Sequence, residues 1–157
     1  MSVNGNMYEV ALDETWGLFE AHLDGARSAL VCVLSERPLD GESRKALNGS
    51  AAALGYGRDA CAFATLRERA ADRAELDRQA LFLLIEGIDP LCLVAADEQA
   101  ARALGQAYRC EVPPGRPSRV FGRPCVAFRS FSAMLGDGQD KQVAWALLKK
   151  LPRFADR

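Results

Sequence analysis

The sequence predicts an α/β fold: a three-layer sandwich whose central sheet has four parallel strands. Three observations carry that expectation. Four short, unbroken apolar runs, near residues 30–35, 60–66, 91–96 and 124–129, read as strands covered on both faces. Helical patterns of ten or so residues separate them, which is the spacing of parallel strands joined by crossover helices. The unit Ile88–Leu104, IDPLCLVAADEQAARAL, shows both features at once: a proline break, the apolar run Leu91–Ala95, then Asp97 as a helix N-cap with Glu98 and Gln99 behind it.

Taken in order, residues 1–12 look weakly structured. From Asp13 the spacing of Trp16, Phe19 and Leu23 marks one face of a helix, with Asp13 or Thr15 as its cap. His22 lies beside that face, where a lone histidine reads as a surface or boundary residue. Leu30–Leu34 is the first strand, and it runs into the polar loop Ser35–Gly41. In open α/β sheets the carboxyl edge, where such loops leave, is where ligands bind. Residues 43–54 form a helix closed by Gly55-Tyr56-Gly57, and Cys61–Leu66 is the second strand. Arg67–Arg78 alternates in charge and reads as a solvated loop entering a helix over Leu76–Glu86, whose apolar stretch Ala80–Ile85 predicts near-complete burial. The third strand and its helix follow, ending near Tyr108. Pro113-Pro114-Gly115-Arg116-Pro117 is the strongest breaker cluster and reads as a surface loop. Arg119-Val120-Phe121 suggests a short strand leading into the fourth, Pro124–Phe128. Arg129–Leu135 is its exit loop, and a last helix runs through Gln142–Leu148.

Composition sets further bounds. The length fits one domain, residues 1–157, with a real core; 49% hydrophobic and 26% charged residues are those of an ordinary globular chain. No apolar run approaches a bilayer span, and the first residues lack both the basic start and the apolar centre of a secretory signal, so no membrane partner and a cytoplasmic location are expected. The five cysteines form no C-x-x-C pair and His22 is the only histidine, which leaves no basis for a zinc or iron–sulfur site; neither metal nor cofactor is expected. Four of the cysteines fall inside the four strand runs, where a reduced thiol acts as a small core residue.

Net charge is −1, but the halves differ: residues 1–100 carry a balance of −8 and residues 101–157 one of +7. Arg116, Arg119, Arg123 and Arg129 fall close together in sequence and are candidates for phosphate contacts. The alternatives are a solvated surface or a homodimer contact facing the acidic half of a second copy.

The order of these motifs resembles the uracil-DNA glycosylase superfamily, over roughly residues 28–150. That family carries a first strand ending in a loop like GEAPG; here it ends Ser35-Glu36-Arg37-Pro38-Leu39, with the glutamate and proline but neither glycine. A strand ending in asparagine follows in the family, where this chain has Ala64 or Thr65. A strand like PKVIVALG is matched by Pro90–Ala96, and a final motif like HPSALL by Ser130-Phe131-Ser132-Ala133-Met134-Leu135, with Trp145 beyond it. The resemblance implies a nucleotide flipped into a pocket at the strand ends. It places Glu36 near the attacking water and Ser130 where the family has its histidine, with Pro38, Thr65, Phe131 and Ser132 lining the ligand site. Serine donates one hydrogen bond but carries no positive charge, and loss of a preorganised oxyanion donor costs about 3 kcal/mol of barrier. The expectation is a glycosylase-like domain, catalytically impaired, binding DNA or a nucleotide-like ligand weakly. An active base-excision glycosylase with altered residues and a homodimeric interaction domain without ligand are the alternatives.

Overall fold

Cys92–Ala95 (β4) lies inside a six-stranded sheet, buried on both faces as its unbroken apolar run requires. The computed structural model describes residues 7–68 and 75–153. Within them the element order is α1 (Met7–Leu18), a 3₁₀ turn (Glu20–His22), β1 (Leu23–Gly25), β2 (Val31–Ser35), α2 (Gly41–Ala53), β3 (Cys61–Thr65) and α3 (Arg78–Ile88). Then come β4, α4 (Glu98–Tyr108), β5 (Pro117–Val120), β6 (Arg123–Ala127), α5 (Phe131–Met134) and α6 (Gly138–Leu148). No described helix is long and apolar enough to cross a membrane.

The sheet runs β1-β3-β2-β4-β6-β5. Its inner four strands, β3, β2, β4 and β6, are mutually parallel, with Val31 opposite both Cys61 and Cys92 and Leu93 opposite Cys125. The expected four-stranded parallel sheet is therefore widened into a mixed one. β1 adds antiparallel to β3, and β5 folds back on β6 as a hairpin. The short strand expected at Arg119–Phe121 is β5, displaced to Pro117–Val120 with Phe121 in the turn, whereas β1 has no counterpart in the sequence reading. Leu-Asp-Gly carries no alternation, and what makes it a strand is the open edge of β3.

Alternation along the strands builds the two cores. Cys32, Leu34, Leu93, Ala95, Cys125 and Ala127 face a layer that includes α3 and α4. Val31, Val33, Cys92, Val94 and Val126 face a layer that includes α2 and α6. Each fully buried leucine or valine side chain here contributes about 1.5–3 kcal/mol. Four helices open on an aspartate whose carboxylate accepts from the backbone three residues on: Asp40 from Ser43, Asp77 from Ala80, Asp97 from Ala100 and Asp137 from Asp140. Each such cap is worth about 1 kcal/mol.

Several boundaries differ from expectation. The first helix starts before Asp13 and stops at Leu18, so His22 and Leu23 leave it for the 3₁₀ turn and β1. On α3, Leu81, Leu84, Ile85 and Ile88 are buried, but Leu83 is half exposed, on a face that no other described element covers. Of the expected weakly structured start, residues 1–6 lie outside the described residues, as do residues 69–74 of the charged loop. Cys32, Cys61, Cys92 and Cys125 are buried and free.

Candidate functional site

The chain passes from β2 outward to β3 and then back across to β4 on the other side of β2. That reversal puts the topological switch point, at which α/β sheets bind ligands, between the carboxyl ends of β2 and β4. Glu36 follows β2 there, Asp97 follows β4, and Ser130 follows β6.

Asp97 holds this edge together. One carboxylate oxygen accepts from Ala100 N–H at 2.8 Å as the cap of α4, and the other accepts from Glu36 N–H at 2.9 Å. Its backbone forms an antiparallel bridge with Ser130, flanked by Glu98 N–H to the Arg129 carbonyl and Phe131 N–H to the Ala96 carbonyl. Glu36 and Ser130, ninety-four residues apart in sequence, thus meet the same residue. The sequence marked Asp97 as a cap; its second bond, to a loop sixty-one residues earlier, carries no local signal.

The side chains at this edge are largely committed. Glu36 Oε2 accepts from Arg67 Nε at 3.3 Å and lies 3.5 Å from Arg37, and Arg67 also pairs with Glu75. The Thr65 hydroxyl is buried and donates to the Arg67 carbonyl. Phe131 is buried, edge-on to Phe128 at 5.1 Å between ring centroids. Ser130 Oγ caps α5 by accepting from Ala133 N–H, and lies 3.5 Å from the Ser132 hydroxyl. Pro38 and Ser132 are exposed. Of the expected ligand contacts, Thr65 and Phe131 therefore belong to the packed interior, while Pro38, Ser130 and Ser132 face outward.

His22 is not the surface residue its position suggested. It is 7% exposed, and its Nδ1 lies 2.9 Å from the Thr65 carbonyl, which fixes a donor at that nitrogen. The antiparallel pairing of β1 with β3 is what carries it to the carboxyl edge.

A groove of about 580 Å³ lies beyond the end of β6, between the 114–117 loop and α6. Phe128, Met134, Val143 and Leu147 give it apolar walls, and Arg129, Ser130, Asp140 and Lys150 bring polar groups to it. No family model matches this chain, and no curated protein matches it. Among the described residues no three histidine, cysteine, aspartate or glutamate side chains gather as a metal site.

The arginine cluster of the sequence is divided by the β5–β6 hairpin. Pro117 pairs with Val126 and Val120 with Arg123, so Arg116 and Arg129 come to the carboxyl edge while Arg119 and Arg123 go to the opposite end. Arg123 is a structural residue. Its side chain is 12% exposed and binds Glu86 at 2.8 Å, Asp89 at 2.7 Å and the Pro90 carbonyl at 2.9 Å. Hairpin reversal is invisible to a count of residues along the chain, which is why four neighbours in sequence read as one patch.

Proposed function

We propose that this chain is a uracil-DNA glycosylase-like domain without effective excision chemistry, binding nucleic acid or a nucleotide-like ligand at the carboxyl edge of its sheet. One observation carries the reading: the groove at the end of β6 places apolar walls, Arg129 and Lys150 around Ser130, the residue standing where the resemblance expects a catalytic histidine. A base would lie against Phe128 and Met134, its phosphate toward Arg129 or Lys150. Support for the glycosylase-like part is the arrangement of the parallel strands, which brings the loops after β2, β4 and β6 to one edge.

Excision asks for more than this edge supplies. The departing base needs charge stabilisation, and Ser130 offers a neutral hydroxyl already engaged as a helix cap. Water activation needs a carboxylate facing the sugar, whereas one oxygen of Glu36 is held by two guanidinium groups. With a net charge of −1, affinity should be weak and fall steeply with salt.

The test uses labelled single-stranded DNA containing one uracil. The expected result is no abasic-site formation, with binding at low ionic strength that Lys150→Glu weakens by about tenfold. Rapid uracil release would overturn the impaired reading. Absence of any binding to the wild-type protein would overturn the binding one.

A further inference from the structure

At the amino ends of β4 and β6, away from the groove, three aromatic rings form a continuous cluster. Phe82 of α3, Tyr108 of α4 and Phe121 of the β5–β6 turn lie with centroids 5.1, 6.0 and 5.8 Å apart. Phe121 is 70% exposed. It is the first residue of a two-residue turn, Phe121-Gly122, in which both φ angles are positive, +53° and +88°. Such hairpin turns favour asparagine followed by glycine, and a bulky residue avoids that left-handed conformation. Both the left-handed conformation and the solvent exposure of this ring are unfavourable, and its contacts with Phe82 and Tyr108 leave most of it in solvent. Strain of this kind points to function.

Cations surround the rings. Arg78 and Arg109 line a pocket of about 260 Å³ of which Phe82 forms one wall. Arg119 donates to the Gly122 carbonyl at 2.9 Å, which sets it beside Phe121. All three arginines are exposed, and no carboxylate among the described residues pairs with them. The carboxylates at the foot of the cluster, Glu86 and Asp89, are taken up by Arg123, and the Tyr108 hydroxyl donates to Glu86 at 2.7 Å, fixing that ring. Rings for bases to stack on, with guanidinium groups not neutralised by a described carboxylate beside them for phosphates, are the elements of a single-strand binding surface.

We propose that this patch is a second nucleic-acid contact, on which a single strand stacks a base against Phe121 and lays its backbone across Arg119, Arg109 and Arg78. It is independent of the groove at the carboxyl edge. A single strand fits better than a duplex, whose bases are already stacked and cannot cover the ring.

The experiment measures anisotropy of fluorescein-labelled oligo-dT with the full chain at low ionic strength, alongside thermal unfolding and sedimentation. Phe121→Asn should weaken binding by about tenfold. Its melting temperature should hold or rise, because asparagine accepts the left-handed backbone. Phe121→Trp should retain binding, and Arg78→Ala with Arg109→Ala should make the affinity less dependent on salt. Unchanged binding by Phe121→Asn overturns the proposal, as does no binding by the wild-type chain. It is equally overturned if Phe121→Asn alters only the sedimentation, which would make the patch a contact between copies. Lys150→Glu reports on the groove separately, so its failure to weaken binding counts against that site and not against this one.

Discussion

The backbone N–H of Glu36 donates to the carboxylate of Asp97 at 2.9 Å, joining the carboxyl ends of β2 and β4. A single side chain thereby caps α4 and closes the loop that follows the first strand of the parallel set. The edge on which the proposed site sits depends on it.

Removing that carboxylate should be costly. Asp97→Ala loses the cap and leaves Glu36 N–H without its acceptor, and is expected to destabilise the fold by about 2 kcal/mol. Asp97→Asn should recover more than half of the loss, since its amide oxygen still caps. Urea unfolding of both variants measures the difference. Equal losses would mean that the charge, rather than the acceptor geometry, sustains the edge.

Arg123 predicts a dependence on acid. Burial pushes the Glu86 carboxyl up, but hydrogen bonds from Arg123 and Tyr108 outweigh it and hold the group below its ordinary value of 4.5. A carboxylate depressed in the folded state stabilises above its unfolded value, and that stability is lost as pH falls through the folded one. The wild-type melting temperature should therefore drop below about pH 4.5, and Arg123→Met should flatten that limb. At neutral pH the same variant should lose about 2 kcal/mol, because Glu86 is left half-buried without its partner.

The thiols should separate by burial. Desolvation pushes Cys32, Cys61 and Cys125 up to about 12 and Cys92 to about 11. Cys110 is only part-buried. Titration of the native protein with a disulfide reagent near pH 8 should modify one cysteine readily, and the unfolded chain all five. A C110S variant should show no fast-reacting thiol.

Gly87 fixes how closely α1 approaches α3. A Cβ there would lie 2.0 Å from Thr15 Oγ1 and 2.9 Å from its Cβ. Gly87→Ala is expected to cost about 2 kcal/mol through overpacking. Adding Thr15→Ala should recover part of it in a double-mutant cycle, whereas simple additivity would place the strain elsewhere.

The four inner strands were legible because each is buried on both faces, which forces an unbroken apolar run that any reader of the chain can see. Asp97 was legible as a cap for the same local reason: the residues it serves lie three positions away. Leu23–Gly25 was not, because three residues hold no pattern and their pairing with β3 is decided by an edge left open elsewhere. His22 was misplaced with it, since the helix expected to carry it ends at Leu18.

The sequence by itself determined the four inner strands, their thiols and the Asp97 cap, all properties of short stretches under strong local constraint. Only the tertiary structure decided that Asp97 joins Glu36 to Ser130, that Arg123 serves Glu86 and Asp89, and that the hairpin sends Arg116 and Arg119 to opposite ends of the sheet. The physical reason is that these bonds join groups far apart along the chain. Which charge meets which is set by strand order and hairpin register, and neither is written in the neighbours of the residues concerned.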